Sequence, residues 1–264
     1  MRKSLPFLIV VATMLYGSAR IYSANAGGQV WQKKQYTEWS PKECDKILQD
    51  SPWAKSYSFE EILIQQLSSN SNSSLGREAK PEMFYNVQLM SALPIRHAIV
   101  RQRLIRDNYD KLTAEQKAAY DKQIEPFLSG KKFEDKVVVH VDFGSNIQDD
   151  AREMVRLWQA ETKDTLQTKA FLLAHGSRIP LSGFAISQGK NEFQMVFPKS
   201  VDGQAVVTPE TKSIAIEFQH PAIRNASGSA PGALPTQRAK DPESKRVLVE
   251  FKIDKMMYNG QVAY

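Results

Sequence analysis

The sequence has a single cysteine, Cys44, so no disulfide can form within the chain. Any zinc site built on paired cysteines is excluded with it. Histidine is scarce, four in 264 residues. The short catalytic signatures are missing too: no G-x-G-x-x-G, no P-loop, no H-E-x-x-H and no G-x-S-x-G elbow. Gly144-Ser145-Asn146 and Gly176-Ser177-Arg178 lack the elbow's flanking pattern. Solenoid and propeller periods are absent. After residue 26 no apolar run approaches the ~18 residues needed to span a bilayer. Disorder is excluded by composition, with 42% hydrophobic against 24% charged residues.

What is present begins at the N-terminus. Arg2 and Lys3 precede an almost unbroken apolar run, Leu5 to Ala19, and a polar stretch ends in Ala24-Asn25-Ala26. That is the layout of an export signal, with small residues Ala24 and Ala26 at the cleavage site and Gly27 as the first mature residue. As a helix the run spans roughly 22 Å, short of the ~30 Å bilayer core, which argues against an uncleaved anchor. A periplasmic or secreted location is expected, with no transmembrane segment after cleavage. Removing Arg2, Lys3 and Arg20 lowers the formal net charge from +6 to +3, with 32 of the 35 basic residues left against 29 acids. Such a balance is no footprint for nucleic acid.

Residues 27–130 read as mainly helical. Ser40-Pro41-Lys42-Glu43 is a capping box with proline at the first helical position, and Pro52 closes that helix near Asp50. Cys44, Ile47 and Leu48 share one face, which makes the thiol a buried apolar group. Trp39 and Trp53 bracket the helix and are expected to pin it to a core. Ser56 to Leu67 fits either strand or helix, and Ser68 to Ser74 a loop. Met83 to Met90 alternates as a strand. Pro94 opens a helix to about Tyr109, and Thr113-Ala114-Glu115-Gln116 caps another that ends before Gly130.

From residue 131 β-branched and aromatic residues dominate. Lys136 to Phe143 is a strand with Val137, Val139, Val141 and Phe143 pointing one way and Val138, His140 and Asp142 the other. Asp149 to Ala160 reads as an inserted helix with Met154, Val155 and Trp158 on its apolar face. Further strands are expected at Thr165–His175, Phe184–Ser187, Glu192–Phe197, Ser213–Gln219 and Arg246–Ile253. Turns are expected at Gln188–Asn191 and Asp202-Gly203. Residues 221–244 read as a mobile loop, rich in Gly, Ala, Pro and Ser from Asn225 onward. The fold class is α+β: a helical region, then a mainly antiparallel β-sandwich-like domain over 131–264 with one inserted helix.

Three arrangements could carry chemistry or binding. His140 and Asp142, two apart on one sheet face, could join His175 or His220 around a divalent metal or supply a base. Separations of 35 and 45 residues between successive histidines fit no metal motif. Arg96, Arg103 and Arg106 fall within an arc of roughly 80° on one helix and could hold an anionic envelope polymer. The alternative is a solvated face paired with acids such as Asp107 and Asp110. The acidic pairs Glu60-Glu61, Glu134-Asp135 and Asp149-Asp150 are sequence neighbours, which do not face each other across a cleft.

Trp39-Ser40 with Glu43, Asp50-Ser51-Pro52-Trp53-Ala54-Lys55 and Ser91-Ala92-Leu93-Pro94-Ile95-Arg96 resemble a group of secreted bacterial proteins of unknown function. Tyr109 to Thr113 through Phe127-Leu128, and Val247 to Tyr258, are similar to its helical part and its terminal strand. The resemblance implies export and a shared fold, and no activity. The expectation is an exported, non-enzymatic interaction or envelope-associated protein without a cofactor, with a protein or envelope partner and no nucleic acid. The alternatives are an extracytoplasmic hydrolase or metal binder using His140 and Asp142, and a polymer binder using the three arginines.

Overall fold

The computed structural model of the chain describes residues 29–60, 82–221, 223 and 245–264. The segment expected to be an export signal, with Ala24 and Ala26, the serine-rich stretch 68–74 and residues 224–244 of the expected loop lie outside the described residues. Ile223, inside the span expected as a loop, is instead buried in the core.

The fold is α+β, with antiparallel sheets. Five strands form one sheet in the order β1-β2-β3-β7-β6: β1 (Ala54–Glu60), β2 (Glu82–Leu89), β3 (Lys136–Ser145), β7 (Glu192–Pro198) and β6 (Gly183–Ile186). Four form another in the order β11-β10-β4-β5: β11 (Arg246–Lys252), β10 (Ser213–Gln219), β4 (Ala170–Ala174) and β5 (Ser177–Pro180). β2 and β3 pair from Met83↔Ser145 to Leu89↔Val139. One sheet therefore runs across the border expected at residue 130. The change in composition there marks where strands become more frequent, not where a core ends.

Period-two alternation sorts each strand. Met83, Tyr85, Val87 and Leu89 on β2, Val137, Val139, Val141 and Phe143 on β3, and Phe193, Met195 and Phe197 on β7 are buried on one face. From the other sheet come Leu172, Ile214, Ile216, Phe218, Val247, Val249 and Phe251, and all belong to one apolar cluster. Phe218 joins the sheets edge-on, 5.1 Å from Tyr85 and 5.9 Å from Phe193 by ring centroids. Trp158 of α5 (Gln148–Ala160) completes this aromatic cluster, 4.2 Å from Phe193.

The helices start where their caps predict. Ser40 Oγ accepts from the Glu43 amide and Glu43 reaches back to the Ser40 amide, opening α2 (Pro41–Gln49). Thr113 and Gln116 do the same for α4 (Ala114–Leu128). Cys44, Ile47 and Leu48 are buried, as are Trp39 and Trp53. α3 (Leu93–Arg106) stops three residues before Tyr109, because Asn108 adopts a left-handed conformation, φ 52°. The strand expected from Thr165 begins only at Ala170. A reciprocal cap between Thr162 and Thr165 turns Lys163–Leu166 into a short helix, α6.

Asp202 and Gly203, φ 51° and 78°, make the expected turn between β8 (Ser200–Val201) and β9 (Gln204–Ala205). Both central residues have positive φ, as the tightest hairpins require. His175-Gly176 between β4 and β5, and Asn259-Gly260 between β12 (Met257–Tyr258) and β13 (Gln261–Val262), repeat the pattern. β5, β9, β12 and β13 are too short to register as periodic runs. Among the described residues no helix is long and apolar enough to cross a membrane.

Candidate functional site

The face of the five-stranded sheet turned away from the aromatic core carries polar side chains in register. One row runs Ser56–Asn86–Asp142–Glu192 and the next runs Gln88–His140–Gln194. A third begins with Phe84 against Gly144, where a Cβ would lie 2.4 Å from the phenyl ring. Glycine lets that ring lie flat across the strand, yet Phe84 stays 45% exposed.

His140, Asp142 and Glu192 converge. His140 Nε2 lies 3.2 Å from Asp142 Oδ1 and 3.8 Å from Glu192 Oε2. The side chains are 12%, 42% and 22% exposed, so solvent reaches the carboxylates while the imidazole is mostly enclosed. Asp142 and Glu192 are direct cross-strand partners, and His140 and Glu192 are diagonal ones.

A surrounding layer orients this trio. The C-terminal turn of α2 leaves the Leu48 carbonyl without a helical partner. Gln88 Nε2 donates to it at 2.9 Å and Asn86 Nδ2 at 3.1 Å. The same two amides donate to Asp142 Oδ2, at 3.3 Å from Asn86 and 3.5 Å from Gln88. Ser187 Oγ donates to Glu192 Oε1 at 2.8 Å, and Lys190 stands 3.6 Å from that oxygen. Each carboxylate thus spends one oxygen on its support and turns the other toward His140. Two buried polar atoms of the cluster, His140 Nδ1 and Asn86 Oδ1, have no hydrogen-bond partner among the described residues. With two carboxylate oxygens before Nε2 and no partner at Nδ1, the Nε2 tautomer carries the proton.

No protein-family model, no curated protein and no solved structure matches the chain. The geometry of the site is therefore the ground for any chemical reading.

The sequence brings His140 and Asp142 together, but not with His175 or His220. His175 sits in the turn between β4 and β5, with Nε2 2.6 Å from Thr211 Oγ1. His220 is in the core, with Nδ1 2.6 Å from Tyr85 Oη, which also accepts from Trp158 Nε1 at 3.2 Å. Burial, and then the Lys245 cation, push the His220 pKa down to about 4. The third member of the cluster, Glu192, was legible only in part. Alternation in Glu192–Phe197 puts it opposite Phe193, but only the β3–β7 pairing brings it to His140.

The arginines also part. Arg96 is buried, and its Nη1 donates to the Phe127 and Leu128 carbonyls at 2.8 and 2.6 Å. These belong to the exposed-carbonyl end of α4, where a cation is favoured. The guanidinium also lies 5.1 Å from the Phe133 ring centre. Arg103 lies over Tyr120 and 3.6 Å from Asp107, and Arg106 lies 3.0 Å from Asp107. Both are exposed and share one acid. The arc on a helical wheel holds, but the burial of Arg96 takes its charge away from the surface the other two share.

Proposed function

We propose that the chain is an exported, non-enzymatic interaction or envelope-associated protein that binds a protein partner through the polar outer face of its five-stranded sheet. The N-terminal pattern of Arg2-Lys3, the apolar run and Ala24-Asn25-Ala26 supports export. The observation that carries the binding reading is the exposed Phe84 ring beside two rows of polar groups already held by hydrogen bonds. An aromatic anchor beside preoriented polar groups is the composition of a contact patch, and the Asp142 and Glu192 carboxylates, already fixed by hydrogen bonds, lose little freedom on binding.

Two measurements test the two halves. N-terminal sequencing of the protein recovered outside the cytosol is expected to begin at Gly27, and a start at Met1 would overturn export. A photo-crosslinker at position 84 in intact cells should trap a discrete envelope protein. Phe84→Ala should abolish co-purification of that protein, while Leu248→Ala, an exposed apolar residue on the other sheet, should leave it unchanged. Equal loss with both variants, or no adduct at position 84, rules out this face.

A further inference from the structure

We propose that His140 Nε2, Asp142 Oδ1 and Glu192 Oε2 form a three-ligand site for a first-row divalent transition metal of the Zn(II) type. Among the described residues this is the His/Asp/Glu group whose ligand atoms all fall within 4.8 Å of one another. Zinc bonds of 2.0–2.2 Å at a tetrahedral angle place neighbouring ligand atoms about 3.3–3.5 Å apart. Nε2 is 3.2 Å from Asp142 Oδ1 and 3.8 Å from Glu192 Oε2, and all three ligand atoms lie within 4.8 Å of one another, so the Glu192 side chain has to close on the other two.

The second shell makes this more than a chance meeting of side chains. Metal-binding carboxylates are held by outer hydrogen bonds that aim one oxygen inward. Here Asn86 and Gln88, themselves anchored on the Leu48 carbonyl, hold Asp142 Oδ2, and Ser187 holds Glu192 Oε1. The orphaned Asn86 Oδ1 marks a further polar group within the same cluster that lacks a partner among the described residues. One imidazole with two carboxylates and no thiolate suits Zn(II) or Mn(II) and disfavours Cu(I). Three protein ligands with solvent on the carboxylate side leave room for a water as fourth ligand.

One feature sets the strength of binding. Metal at Nε2 moves the imidazole proton to Nδ1, where no acceptor stands among the described residues. Ligating histidines usually have such an acceptor, and its loss weakens affinity about 10–100-fold. A site one to two orders of magnitude weaker than one whose histidine has that acceptor follows. It stands independently of the contact-face reading, since a metal can bind whether or not a partner does.

The test is calorimetric titration of the full mature chain with zinc chloride at pH 7. One equivalent should bind. Asp142→Asn and Glu192→Gln, which keep size and hydrogen-bonding capacity, should each weaken it at least tenfold while far-UV circular dichroism without metal is unchanged. His175→Gln should bind as the parent does. Cobalt(II) in the parent should give visible absorption bands of a low-coordinate N,O site, lost in Glu192→Gln. Absence of a stoichiometric zinc event in the parent overturns the proposal. So does unchanged affinity in both carboxamide variants, or a loss confined to His175→Gln.

Discussion

Mild acid should destabilise this protein through two histidines outside the candidate site. His97 is stacked on Tyr36 at 4.1 Å, with Nδ1 2.8 Å from Tyr258 Oη. Burial, and then the neighbouring Arg96 cation, lower its pKa to about 4 from an ordinary 6.5. His220, against Tyr85 and Phe59, is lowered equally, to about 4, by burial and then by Lys245. Between pH 6.5 and 4 the unfolded chain binds a proton at each position that the native chain does not. Stability is therefore full above pH 6.5 and falls as the pH drops toward 4. At pH 5 the deficit is about 2 kcal/mol per histidine, or about 4 for the two. That is a large part of the 5–15 kcal/mol typical of a folded domain. The half-buried carboxylate Glu43, held at about 2 by Lys34 and the Ser40 cap, stabilises the native chain above pH 4.5 and loses that contribution only as the pH falls below it. Urea unfolding at pH 7, 6 and 5 should show a progressive loss of midpoint, by about 1–2 M over the range for slopes of 2–3 kcal/mol per molar. The chain with both His97→Gln and His220→Gln, though less stable at pH 7, should lose little more on acidification. Equal midpoints at pH 7 and 5, or an undiminished pH slope in the double variant, would refute the reasoning.

Three further outcomes follow from single contacts. Arg96→Met removes two charge-assisted hydrogen bonds and orphans the carbonyls closing α4, so denaturation should show a loss of about 3–5 kcal/mol. Tyr85→Phe leaves Trp158 Nε1 and His220 Nδ1 buried without the hydroxyl between them, and the same assay should read about 2–4 kcal/mol. Gly144→Ala drives a Cβ into the Phe84 ring and should cost about 1–2 kcal/mol, a penalty that shrinks when Phe84→Ala is added.

Local patterns were readable because their causes are local. The two capping boxes, the alternation of β2, β3 and β7, and the Asp202-Gly203 turn each depend on neighbours a few residues away. So does the pairing of His140 with Asp142 on one face. What could not be read depends on register. Glu192 meets His140 through the β3–β7 ladder, and Asn86 and Gln88 reach Asp142 through the β2–β3 ladder. Nothing in a strand's own sequence names its neighbour. Arg96 misled for a related reason: a helical wheel gives angles, but the end of α4 that swallows its charge comes from more than thirty residues away. Thr162-x-x-Thr165 is a capping box without the usual acid or amide at its third position. Its β-branched threonines also read as strand, and the cap won.

Trp53 immediately precedes the first strand, yet its indole N–H donates to the Ala263 carbonyl at 2.8 Å, 210 residues away. β11, which closes one edge of the four-stranded sheet, likewise starts only at Arg246. Until that distant segment docks, the Trp53 indole lacks this acceptor and β10 lacks one flank. Contacts of such separation are slow to form and expensive in chain entropy. Docking of the segment from Arg246 to Ala263 should therefore be a late step of folding, after the local hairpins have formed.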